Sequence, residues 1–219
     1  NIKLKEQLVE ENFVWANSLS WKSQAQKMLT TYILPNSKFE YKCMYNWTND
    51  LPIGEKQIFE EVITYFNKNQ VYSEPRILEI GTYTGISLIN IINRIPGSIG
   101  IGVDMWANYN ENNLLDNIYN LCVKDSFYKN ITVAGLQDKI KGIQMDSTQA
   151  LLSFIINKEK FNFIYVDGSH LLLDCYSDLV LSWDILVSGG IMVIDDYLYK
   201  QESILDSPFE AVNHFLKVY

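Results

Sequence analysis

Arginine is almost missing from this sequence: of 219 residues only Arg76 and Arg94 carry a guanidinium. With 18 Lys and Arg against 26 Asp and Glu, the formal net charge is −8, and the basic residues are scattered. A nucleic-acid partner is not expected, because phosphate binding needs a basic stripe that releases counterions. Cysteine is scarce too. Cys43, Cys122 and Cys175 are odd in number, far apart and outside any CxxC or Cys/His spacing, so neither a zinc site nor a disulfide framework is expected. Reduced thiols fit a cytoplasmic protein. No apolar run reaches the ~18 residues of a membrane span, and no signal-peptide pattern opens the chain. The dinucleotide fingerprint GxGxxG is also lacking. None of these absences excludes a hard cation, which acidic side chains hold well. The chain begins at Asn1 rather than Met, which is compatible with a piece of a longer protein, and a homo-oligomer is equally compatible.

What is present suits one large α/β domain: 47% of the residues are apolar and 20% charged, enough to bury a real core. Residues 1–70 read as a helical extension, with Leu4, Leu8 and Val9 at helical spacing, and again Ile58, Phe59, Val62, Ile63 and Phe66. A Tyr/Trp-rich connection, Phe39 to Pro52, lies between them. From 71 to 219 the pattern changes. Five short apolar runs, Ile77–Ile80, Ile99–Val103, Ile140–Met145, Phe163–Val166 and Ile191–Ile194, are separated by amphipathic stretches. Strands alternating with helices imply right-handed βαβ units, and unbroken apolar strands imply a parallel sheet covered on both faces. The expected fold is therefore α/β, a doubly wound Rossmann-like sheet with helices on both sides.

In such sheets ligands bind beyond the carboxyl ends of the strands. The first apolar run leads into Glu79-Ile80-Gly81-Thr82-Tyr83-Thr84-Gly85. Gly81 and Gly85 permit a tight turn and close approach of a ligand to backbone. Glu79 beside that turn suits a cationic amino-acid ligand and repels a pyrophosphate. The second run ends in Asp104, placed to accept hydrogen bonds from ribose hydroxyls, with Met105 and Trp106 next to it as candidates for an adenine face. On its own, Asp104 could equally be a helix cap or turn residue. The third run ends in Asp146-Ser147-Thr148, where Asp146 either reaches an adenine amino group or caps the next helix. The two roles are compatible.

The segment Ile77-Leu-Glu-Ile-Gly-Thr-Tyr-Thr-Gly-Ile-Ser resembles the first motif of class I S-adenosylmethionine-dependent methyltransferases, especially the catechol O-methyltransferase-like group. The resemblance covers roughly residues 47 to 215, including the stretch Asn49-Asp50 through Gln57 that covers the methyl donor in that group. It implies that Glu79, Gly81, Thr82, Tyr83, Gly85, Asp104, Met105, Trp106, Asp146, Ser147 and Asp167 line a site for S-adenosylmethionine. The complete fold of that family adds two further strands after the fifth. Here only one helical pattern, Phe209, Val212, Phe215 and Leu216, follows Asp196, so those two strands are expected to be absent.

The stretch Phe163-Ile-Tyr-Val-Asp-Gly-Ser-His ends the fourth run with Asp167 and, three residues later, His170; the fifth ends in Asp195-Asp196-Tyr197. Neighbouring strand ends would bring three carboxylates to one rim. Repulsion between them is relieved by a divalent cation, and carboxylate oxygens plus water suit Mg²⁺. The alternative is that Asp195 and Asp196 merely cap the next helix. These stretches, with Gly189-Gly190, resemble the metal-dependent sugar O-methyltransferases of macrolide biosynthesis. That resemblance implies Mg²⁺ at Asp167, Asp195 and Asp196, His170 as general base and a sugar hydroxyl as acceptor. Catechol enzymes have Lys where His170 stands. A histidine suits the chemistry, because an alcohol must lose its proton as it attacks the methyl group. A phenol or catechol acceptor, contacted by the 39–52 connection, and a non-catalytic donor-binding domain of a larger protein remain alternatives.

Overall fold

The computed structural model describes residues 53–69, 72–106, 114–197 and 208–219. The N-terminal helical pattern and the aromatic connection of residues 39–52 lie outside the described residues. Within residues 1–70 the structure describes one helix, α1 (Ile53–Asn69). It buries Phe59, Val62, Ile63 and Phe66, while Ile58 is 45% exposed. Four apolar residues at i, i+3, i+4 and i+7 make one stripe, and Ile58 falls just off it.

Five strands alternate with helices as the apolar runs predicted: β1 (Arg76–Ile80), α2 (Ile86–Arg94), β2 (Ile99–Asp104), α3 (Leu114–Val133), β3 (Ile140–Gln144), α4 (Ser147–Ile156), β4 (Phe161–Val166), α5 (Leu172–Ile185), β5 (Leu186–Ile194) and α6 (Pro208–Val218). They form one parallel sheet in the order β3-β2-β1-β4-β5. Strand order reverses between β1 and β4, so the switch point of the fold lies at their carboxyl ends. α2 stops at Arg94 because Ile95 adopts extended geometry (φ −107°) before Pro96, as a residue preceding proline must. Among the described residues the sheet has five strands and β5 is one of its edges. No described helix is long and apolar enough to cross a membrane.

Alternate side chains of the central strands feed two cores. Ile77, Phe163 and Tyr165 face α1, α2 and α3, packing with Phe59, Ile89 and Phe127. Leu78, Ile80, Ile164 and Val166 face α4, α5 and α6, packing with Leu151, Leu179 and Phe215. A strand buried on both faces has no polar alternation to show, which explains the continuous apolar runs. Each fully buried Leu, Ile or Phe contributes roughly 1.5–3 kcal/mol. Both cores therefore hold the carboxyl ends of β1, β2, β4 and β5 on a rigid base.

β5 begins at Leu186, five residues before the Ile191–Ile194 run, and includes Gly189 (φ +77°) and Gly190. Its register with β4 shifts between Phe161 and Phe163. The glycine pair lies inside the strand, at an irregularity of its pairing.

Candidate active site

The chain must leave the end of β1 without colliding with β4. Gly81 does so at φ +81°, donating its N–H to the Val103 carbonyl at 2.8 Å, with the Thr82 N–H on the same oxygen at 3.1 Å. A Cβ on Gly81 would lie 1.9 Å from the Asp167 carbonyl oxygen. Gly85 opens α2 at φ +76°, and a Cβ there would lie 2.7 Å from the Phe127 ring. The sequence assigned both glycines to a tight turn and to close approach of a ligand. In the structure, contacts inside the protein already require them.

Around this turn the polar groups are preorganised. Glu79 is 2% exposed, and its carboxylate accepts hydrogen bonds from the hydroxyls of Thr82 and Ser87. Asp104, at the end of β2, accepts the Tyr83 N–H at 2.8 Å on one oxygen and the Trp106 N–H at 2.7 Å on the other. Burial raises the Asp104 carboxyl above its usual range, and the Trp106 and Tyr83 N–H groups oppose that rise. A carboxylate has about four lone-pair sites, so two N–H bonds do not exhaust it. Trp106 (4% exposed) turns its indole into the core, 4.9 Å from the Phe127 ring centroid, and donates Nε1–H to the Tyr83 carbonyl at 2.8 Å. Of the two residues assigned to an adenine face, Trp106 is buried and Met105 half-buried. Asp146 caps α4, accepting the Gln149 N–H at 3.2 Å, and Ser147 is the helix's first residue.

At the neighbouring rim β4 and β5 run side by side, with the Asp167 N–H on the Ile80 carbonyl and the Asp195 N–H on the Val166 carbonyl. Asp167, Ser169, His170, Asp195 and Asp196 line one crevice, closed by Pro208 of α6. Within it, one ligand atom each from Asp167, His170 and Asp196 lie within 4.8 Å of one another. His170 Nε2 is 2.6 Å from Asp196 Oδ2. Asp195 is differently engaged: its Oδ2 accepts the Tyr165 hydroxyl at 2.5 Å and its Oδ1 the Asp196 N–H at 2.8 Å. The structure thus brings together two of the three expected acids with the histidine, and holds the third on Tyr165. The two half-buried carboxylates are oxygen donors that fit a hard divalent cation, and the imidazole stands beside them.

Three polar residues around the site were not singled out from the sequence. Ser87 shows only as a hydroxyl two residues after Gly85. Tyr165 carries its signal in the strand itself, since its ring is 2% exposed and only the hydroxyl reaches Asp195. Asp178, fully buried on α5, lies on the face shared with Cys175, Leu179, Ser182 and Ile185. That helical spacing could have revealed it.

A family model described as a methyltransferase domain matches residues 78–197, just over half of the chain. The release factor glutamine methyltransferase of Bradyrhizobium diazoefficiens is 33% identical over 51 residues, 23% of this chain and 17% of that protein. The match thus spans well under a fifth of that relative's length. An O-methyltransferase from Bacillus cereus, solved in complex with SAH, superposes with a TM-score of 0.57 at 16% identity, covering 90% of this chain and 84% of that one. The O-methyltransferase TomG from Streptomyces achromogenes, involved in tomaymycin synthesis and solved with SAM, superposes at 0.55 and 16% identity, covering 94% and 82%. At such identities the likeness is one of fold.

Proposed function

The chain belongs to the methyltransferase domain family matched over residues 78–197, and on that basis we propose that it is an S-adenosylmethionine-dependent O-methyltransferase that uses Mg²⁺ to methylate a hydroxyl of a small molecule, a sugar. The observation that carries this reading is the meeting of Asp167, His170 and Asp196 at the ends of β4 and β5, one strand away from the Glu79–Asp104 rim. The SAH and SAM bound to the structural neighbours support the choice of methyl donor. Residues 71–219 serve as the donor-binding unit and residues 1–70 as the extension that shapes the acceptor side.

Glu79 sits where a donor's ammonium group needs a carboxylate, and Asp104 where ribose hydroxyls need acceptors. Both are already oriented by Thr82, Ser87, Tyr83 and Trp106, so little ordering is left for binding. Asp167 and Asp196 would hold the cation, with Asp195 beside them. When bound, the cation supplies positive charge where the acceptor hydroxyl loses its proton. His170 takes that proton. A carboxylate on Nε2 favours the tautomer with its hydrogen there, which makes Nδ1 the basic nitrogen.

Calorimetry with S-adenosylmethionine, followed by methyl transfer to a panel of sugars with Mg²⁺ or with excess EDTA, tests the proposal. Binding should weaken by about 1–3 kcal/mol in Asp104→Ala, the cost of unmade hydrogen bonds. Activity should vanish in EDTA and return with Mg²⁺. Tight binding of a nicotinamide dinucleotide with none of the sulfonium would refute the class. Full turnover in EDTA would refute the cation.

A further inference from the structure

Beneath the Asp167–His170 turn lies a group that none of these roles uses. Asp178, on the inner face of α5, is fully buried; neither of its carboxylate oxygens makes a hydrogen bond of full geometry among the described residues, although the Ser147 hydroxyl faces it. The hydroxyl of Ser182, one helical turn further on, is in the same condition. Replacing such a group by a similar-sized apolar one is often neutral or stabilising, so core stability gives no reason for an acid here.

Its surroundings do. A Cβ built on Gly168 would lie 3.2 Å from Asp178 Oδ2 and from Ile80 Cγ2, so the carboxyl lies directly under the turn that carries Asp167 and His170. One turn earlier on the same helix, Asp174 accepts the Ser169 hydroxyl at 2.8 Å, and the Ser169 oxygen in turn accepts the Leu171 N–H at 3.2 Å. Acids spaced i, i+4 stand on one face of a helix. Asp174 and Asp178 therefore meet consecutive residues of the turn from below. Across from them, the start of α4 presents Asp146 and Ser147 to Asp178, so this carboxyl lies between the expected nucleoside side and the acid–histidine side.

We propose that Asp178 is a positioning residue: its carboxyl supports the turn at Gly168, in concert with Asp174 at Ser169, and so sets the approach of His170 to Asp196. The catalytic consequence rests on the function proposed above, whereas the placement of His170 does not. A displacement of about 1 Å in a reacting group can cost ~10²-fold in rate, so a support of this kind matters without touching substrate.

The chain has two histidines, and His214, exposed on α6, serves as an internal reference for imidazole ¹⁵N NMR of the ligand-free protein. Asp178→Leu should move the His170 ring signals towards those of His214 and leave His214 unchanged. Asp178→Asn, which keeps size and polar atoms, should retain the native His170 signals. Asp178→Ala, built on the best helix former, should repeat the Leu result and covers the case in which Asp178→Leu fails to fold. Native His170 signals in folded Asp178→Leu or Asp178→Ala would overturn the proposal, even with a lowered melting temperature. The spectra need neither methyl donor nor cation, so failure of the methyltransferase reading would show separately, in calorimetry.

Discussion

Replacing Asp178 with Asn should change how stability depends on pH, by an amount the structure sets. Burial pushes the Asp178 carboxyl up to about 7 from an ordinary 3.8; the Ser147 hydroxyl opposes the rise, and Asp146 and Asp174 add to it. Between those two values the folded chain keeps a proton that the unfolded chain has released. Stability must therefore fall as pH rises through the window from about 4 to about 7, and level off above it. A rise of about three units corresponds to roughly 4 kcal/mol, a large share of the 5–15 kcal/mol typical of a folded domain. Asn cannot ionise, so Asp178→Asn should gain on the native protein by about that amount between pH 4 and pH 8. Cys175, pushed up to about 12 by burial and by Asp178 and Asp174, remains a thiol throughout and adds nothing to the difference. Urea unfolding at pH 5, 6, 7 and 8, extrapolated to water, gives both curves. Parallel curves for the two proteins would show that Asp178 does not titrate as a buried acid, and the reasoning would fail.

Two further substitutions address the turn and the base. Gly81→Ala should cost clearly more than the ~1–2 kcal/mol of left-handed strain, because its Cβ meets the Asp167 backbone at 1.9 Å; Gly135→Ala, at φ +69° with nothing within 4 Å, should cost only the strain, and equal losses in thermal unfolding would contradict the contact. His170→Ala should lower turnover by ~10²–10⁴ with donor affinity unchanged in calorimetry, and near-native turnover on every accepted hydroxyl would make His170 structural.

The sequence disclosed most of the sheet because burial on both faces leaves a mark that needs no partner to read: apolar runs such as Ile77–Ile80 and Phe163–Val166 became β1 and β4, side by side. It disclosed the start of β5 poorly, since the apolar run begins at Ile191 whereas the strand begins at Leu186, with Gly189-Gly190 inside it and its register with β4 shifted. At the site, composition named the right rims but could not orient side chains. Asp195 and Asp196 are adjacent letters, yet one faces Tyr165 and the other His170. Trp106 reads as a ligand-facing ring, whereas its backbone conformation and its bond to the Tyr83 carbonyl turn it inward. Asp178 was hidden for a different reason. An acid in an amphipathic helix is taken for the wet face unless its spacing is compared with Cys175, Leu179 and Ile185.

Backbone strain marks the site independently of any motif. Four described non-glycine residues have positive φ: Tyr83 (49°), Trp106 (41°), Lys158 (57°) and Asp196 (53°). Lys158 follows the end of α4, where a left-handed residue is an ordinary way to stop a helix. The other three stand just beyond β1, β2 and β5, at the carboxyl edge of the sheet. Each such residue costs on the order of 1–3 kcal/mol and persists only where its surroundings over-determine it. Here the surroundings are visible. Asp104 holds Tyr83 and Trp106 by their N–H groups, and the Asp195 carboxylate holds the Asp196 N–H. The acids that hold these strained residues are those expected to face the nucleoside and to stand beside the cation, so a substitution made to probe binding at Asp104 or Asp195 also releases strain. Binding and stability must therefore be measured together on each such variant. A loss of affinity accompanied by a gain in melting temperature would be the signature of a carboxylate serving both roles.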